Sequence, residues 1–210
     1  MKKYGIALAI AFALFPLLAL GQSVNTSATA TANQNKDENT ISAEARKIRG
    51  WSESEKKDFL TTVKTHAQLK SGQDLDNFAK GVMIKDEKVE EVETNESVVE
   101  VRYKLPAKFL GVFGVDLSAI VNVKFETKKT GRGPKEVTVK FPWYRMFFSL
   151  SSEARAEVLQ TALDAAVTVR AQVPRDNVHA QNGVTVQTIS DVLKALRVKI
   201  KVGASAQTTI

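Results

Sequence analysis

The chain carries two histidines, His66 and His179, and no cysteine. Thiolate catalysis, disulfides and a lipid-modified N-terminal cysteine are therefore excluded. A transition-metal site would need carboxylates to complete its shell, and no HExxH or comparable spacing occurs. His66 falls on the inner side of an expected helix, and His179 falls in a polar stretch expected at the surface. No G-x-S-x-G sequence offers a serine nucleophile. TGRGPK, 130–135, is basic and glycine-rich, but it lacks the length and the Lys-Ser/Thr ending of a phosphate loop. It reads as a hairpin turn. No metal and no cofactor is expected.

Two charged stretches follow one another. Asp86, Glu87, Glu90, Glu91, Glu93, Glu96 and Glu100 crowd the first. Paired carboxylates can do glycosidic acid–base work when they flank a cleft, but these are expected on a solvated face. Lys124, Lys128, Lys129, Arg132, Lys135, Lys140 and Arg145 crowd the second. Lys124 and Lys140 oppose the apolar sides of their strands, so this group is expected to form one positive outer face and to polarise the domain.

VKFPWYRMFFSL, 139–150, is the least ordinary stretch. Trp143 to Phe148 supply four aromatics, one methionine and one arginine. Continued strand alternation puts Trp143 inward beside Phe141 and puts Tyr144, Met146 and Phe148 on the opposite face. Both faces are then apolar, which a half-solvated strand does not show. Either the next helix covers the second face, or the segment is an open docking surface. AKFLGVFG, 107–114, reads as a bend whose phenylalanines could join the same patch. Phe109, Phe113, Trp143, Tyr144, Met146, Phe147 and Phe148 are the candidate docking residues for a ligand or a membrane.

The elements that position these residues read as α+β. MKKYGIALAIAFALFPLLALGQS has a short basic start and an uncharged apolar run, the pattern of a secretory signal peptide cleaved after Gly21. The alternative is an uncleaved inner-membrane anchor. Residues 22–40 are Ser, Thr, Asn, Gln and Ala apart from Val24, Lys36, Asp37 and Glu38, and read as a flexible polar linker. Residues 41–203 form the single expected domain, and 204–210 a disordered tail. Helices are expected over 41–69, in one or two pieces interrupted at Gly50 with a Ser52/Glu55 capping box after it, and over 74–80, stopped by Gly81. Val82 and Ile84 open a strand pattern, with a bulge or turn near Val89 and Val92. Val99–Leu105, Val115–Phe125 and Val137–Phe141 alternate cleanly and are expected as an antiparallel meander, with Pro106 ending the first strand or marking an edge. A helix capped at Ser151 or Ser152 is expected to turn Ala154, Val158, Leu159, Ala162 and Ala166 inward. A loop over 174–183, a short helix and a last strand over 198–202 follow. The whole is an antiparallel sheet of about four strands with helices on one face. A cystatin-like wrap is one layout of this kind.

Net charge is +7, or +5 once Lys2 and Lys3 leave with the leader, 28 basic against 23 acidic residues. A basic exported domain suits an anionic membrane surface, an envelope polymer or another envelope protein, and makes nucleic acid a less expected partner. The resulting expectation is a non-enzymatic exported or cell-envelope binding or scaffolding protein, periplasmic or extracellular. The alternative is a carrier of a small apolar molecule or lipid, or an enzyme with an apolar cleft near 109–114 and 143–148. Asp116 is the nearest carboxylate for such an enzyme.

Overall fold

The structure, a computed structural model, describes residues 40–128, 131–170 and 177–206, with side chains described up to residue 200 and not at 128. The expected signal peptide, nearly all of the linker, and residues 207–210 of the expected tail lie outside the described residues.

The fold is α+β. The strands are β1 (Ile41–Glu44), β2 (Val89–Thr94), β3 (Val98–Phe109), β4 (Phe113–Lys128), β5 (Gly131–Lys140) and β6 (Phe148–Ser149). They form one antiparallel sheet in the order β1-β2-β3-β4-β5, with β6 paired to the end of β3. The helices are α1 (Glu53–Thr62), α2 (Gly72–Lys85), α3 (Ala156–Arg170) and α4 (Val178–Ala206).

Alternation decides the two faces of the sheet. Val99, Val101, Tyr103 and Leu105 of β3, Leu117, Ala119, Val121 and Val123 of β4, and Val137 and Val139 of β5 are all buried. All but Leu117 meet Leu75, Phe78, Ala79 and Met83 of α2, Leu159, Leu163 and Val167 of α3, and Val186, Ile189 and Leu193 of α4 in one core. At about 25 cal/mol per Å² of apolar surface removed from water, this shared core is the main stabilising contribution. The other sheet face carries cross-strand ion pairs: Glu91 with Arg102, Glu90 with Lys104, and Lys124 with Glu136.

Several expectations are met and several are corrected. The capping box at Ser52 and Glu55 opens α1 as the sequence predicts. The expected bulge lies between Val89 and Glu91, and Asn95 accepts from the Ser97 and Val98 amides in the β2–β3 turn. Pro106 does not end β3. Lys104 donates its amide to Lys88, so Pro106, two residues on, turns its donor-less nitrogen to the same side, where β2 has already ended. The sheet has six strands, not about four, because Ile41–Glu44 pairs with β2 instead of starting a helix and Phe148–Ser149 adds a short strand against β3.

Gly81 does not stop α2, which runs on to Lys85. A β-carbon at Gly81 would lie 3.1 Å from Val63 Cγ1, so the glycine serves a close helix contact instead. Val82 and Ile84 are therefore helical. On α3 the buried stripe is Leu159, Leu163 and Val167, while Val158 is exposed. The expected loop up to Gly183 and the expected strand over 198–202 are both parts of α4. Residues 180–186 of α4 are buried on every side despite their polar composition. Thr185 and Thr188 donate back to the carbonyls of Gln181 and Val184, which lets hydroxyls sit in a packed helix. The short VKIKV alternation mimicked a strand, and α4 carries its outward valine, Val198, into solvent.

Candidate functional site: an exposed aromatic tip

Pro142 breaks the alternation that would have buried Trp143. It cannot donate to a ladder, and it caps a 3-10 turn over Trp143–Phe147 instead of continuing β5. Trp143 is 79% exposed and Met146 74%, which corrects the inward placement of Trp143. The chain then reverses into β6, whose Phe148 pairs with Phe109 and whose Ser149 pairs with Lys108.

That pairing carries the 3-10 turn to the tip of the β3–β4 hairpin. Leu110 (φ 50°) and Gly111 (φ 75°) make this tip by adopting left-handed backbone, which glycine does freely and leucine only at some cost. The Leu110 amide donates to the Phe147 carbonyl at 2.9 Å, tying the two loops together. The rings of Phe109 and Phe148 lie 5.4 Å apart, Tyr144 and Phe148 6.0 Å, and Trp143 and Tyr144 5.8 Å. Tilted and edge-on contacts at these distances are favourable between aromatic quadrupoles. The seven candidate docking residues thus come together at one end of the sheet. Leu110, Val112 and Val115 are also exposed there; only Val115 lay beyond the FLGVFG stretch, on the last step of an inward-facing strand row.

The candidate basic face does not assemble as expected. Arg132 is buried: its Nε donates to the Glu96 carbonyl, and its terminal nitrogens donate to Gln181 Oε1 and Asn182 Oδ1. Its guanidinium carbon sits 3.7 Å from the centre of the Phe125 ring. Burial pushes it down to about 10, which still leaves a cation at neutral pH. Lys124 is paired with Glu136. Lys135 and Lys140 are exposed, Lys129 lies outside the described residues, and of Lys128 only the backbone is described. Arg145 is exposed at the aromatic tip, 5.7 Å from the Phe141 ring centre.

The acidic stretch is likewise not one solvated face. Glu90 and Glu91 pair across strands. Asp86 is buried, accepting from Tyr103 Oη at 3.0 Å and from Ser190 at 3.3 Å. Burial, then the neighbouring Asp86 charge, pushes the Tyr103 phenol far above its ordinary range. This network joins α2, β3 and α4, and its one sequence signal was a tyrosine in an inward row, whose hydroxyl needs a partner. Asp116 is engaged by Lys88 and Arg197, each at 3.0 Å. Burial would raise it, but hydrogen bonds from those two cations outweigh that and hold its carboxyl below the ordinary value.

A groove of about 520 Å³ reaches the tip through Pro142 and Tyr144; its other walls include Glu44, Arg46, Glu91 and Arg102. It is charged where an apolar cargo would need apolar walls. Among the described residues no group of three or more His, Cys, Asp or Glu could hold a metal ion, and no helix is long and apolar enough to cross a membrane. Comparison with protein-family models, with curated proteins and with solved structures finds no match to this chain.

Proposed function

We propose that this chain is a non-enzymatic, exported binding or scaffolding protein of the cell envelope that works through the aromatic tip. One observation carries the reading: two loops distant in sequence are hydrogen-bonded together so that Leu110, Val112, Phe113, Trp143 and Met146 stand 62–79% exposed side by side. A contiguous apolar surface of this kind marks a contact site. The exposure of these five side chains favours docking over carriage of a small apolar molecule. Export is inferred from the leader-like N-terminal sequence, which supports a periplasmic or extracellular domain, or one held at the inner membrane if the leader stays.

Hydroxyl-radical footprinting tests this reading, because methionine and tryptophan are reactive side chains. Trp143 and Met146 should oxidise much more slowly in the producing cell than in the purified chain, with Trp51 unchanged. Equal oxidation of the tip in both settings would remove the reading.

A further inference from the structure

We propose that the occupant of the tip is the interfacial layer of an anionic lipid bilayer, entered shallowly by Leu110, Val112, Phe113, Trp143 and Met146. This rests on the reading of the tip as a docking surface and names its partner.

Backbone accounting favours lipid. A segment entering a bilayer must satisfy its own amides, since hydrocarbon offers no partners. At the apex the Leu110 amide donates to Phe147, Gly111 to Lys108 and Val112 to Phe109. On the second loop the Arg145 amide donates to Pro142 and the Phe148 amide to Arg145. Five amides of the two loops are therefore already used. A protein partner that bound by strand addition would need the opposite, free backbone groups.

Charge points the same way. Residues 104–115 and 139–152 contain Lys104, Lys108, Lys140 and Arg145 and no Asp or Glu. Lys104 is paired with Glu90, but Lys108, Lys140 and Arg145 have no ion pair among the described residues. Lys108 opposes Gly114 and Ser149, just behind the apex, and Arg145 lies within the 3-10 turn. Apolar side chains at the apex with cations behind them match acyl chains below anionic headgroups. Trp143 and Tyr144 supply the amphipathic rings that settle at the headgroup level.

The absence of native cysteine makes the test direct. Val112→Cys, Met146→Cys and, as a control on exposed α3 surface, Gln160→Cys are made in the full chain. Each is labelled with an environment-sensitive fluorophore. The labelled chains are mixed with phosphatidylcholine vesicles with and without phosphatidylglycerol, carrying a quencher high on the acyl chain. The readout is depth at one position, so retention of the chain by its N-terminal apolar segment does not mimic it. Tip labels should shift to the blue and be quenched in anionic vesicles, while the Gln160 label stays aqueous. Removing Lys108 and Arg145 charge as K108Q and R145Q should raise the lipid needed for a half-maximal tip shift by about five-fold per cation.

Tip labels that stay aqueous with anionic vesicles would overturn the proposal, as would equal quenching at Gln160. A tip shift in concentrated protein without lipid would assign the surface to a second copy; the bilayer would be wrong and the docking reading would stand. Aqueous tip labels together with an unprotected tip in cells would remove both.

Discussion

Arg132→Met should destabilise the domain by about 2–4 kcal/mol. The wild-type guanidinium donates to Glu96, Gln181 and Asn182, and a hydrogen bond to a charged group contributes roughly 1.5–3 kcal/mol. Three such bonds give a gross loss of about 4.5–9 kcal/mol. Against this, methionine removes the cost of a buried cation, which is several kcal/mol, and fills much of the same space over Phe125. The difference leaves the stated range. The bonds join the β2–β3 turn, β5 and the buried start of α4, so the loss should appear as a lower urea midpoint with an unchanged slope. Arg132→Lys should be only partly rescuing, because one ammonium cannot match a planar fork aimed at three acceptors. A double-mutant cycle with Gln181→Leu should show coupling above about 1 kcal/mol. An Arg132→Met chain as stable as wild type would refute the reasoning, because the buried charge would then cost as much as its bonds return.

Four other outcomes follow from the same geometry. Trp143→Ser with Met146→Ser should leave the urea midpoint nearly unchanged, within about 0.5 kcal/mol, because both side chains are exposed, while the oxidation of Phe113 and Tyr144 in cells rises to that in the purified chain. Gly183→Ala should cost about 1–3 kcal/mol, since its β-carbon would fall 2.5 Å from Leu69 Cδ1 in a fully buried site; calorimetry reads this as a lower Tm. Tyr103→Phe should cost about 1.5–3 kcal/mol in urea unfolding, because Asp86 loses the phenol donor in a buried network. Asp116 is held below its ordinary value of 3.8, so the stability it contributes is present above that pH and is lost as the pH falls through its folded value. Arg197→Gln should therefore flatten the acid limb of a stability–pH profile.

The strands were legible because their inward rows are long and apolar: Val99–Leu105 and Leu117–Phe125 each leave one register only. Helix starts with side-chain caps, such as Ser52, were legible too. The start of α4 was not, although Asn177 caps it by accepting from the Ala180 amide, because Asn177, Gln181 and Asn182 look like loop residues. Each spends its amide on a distant element: Asn177 on the Leu69 carbonyl, Gln181 on Arg132, and Asn182 on the Asn95 carbonyl. Long-range partners of that kind leave no local periodicity. The glycines at 81 and 183 misled for the same reason, since both mark close packing with residues far along the chain. At the candidate site the composition was readable and the geometry was half readable. Alternation carried past Pro142 buried Trp143, whereas the proline ends the strand and the turn exposes it. The meander left the joining of 109–114 to 143–148 open, and it is made by β6, a two-residue strand too short to see in sequence.

The account turns on whether the tip meets a partner in its native setting. A photo-crosslinking side chain placed at Met146, and separately at Val169, an isolated exposed valine on α3, measures this directly. On illumination of intact cells, position 146 should give discrete adducts, lipid among them, and position 169 should give none. A position 146 as silent as position 169 would contradict the account, because an exposed apolar tip that touches nothing is not the working surface of this protein.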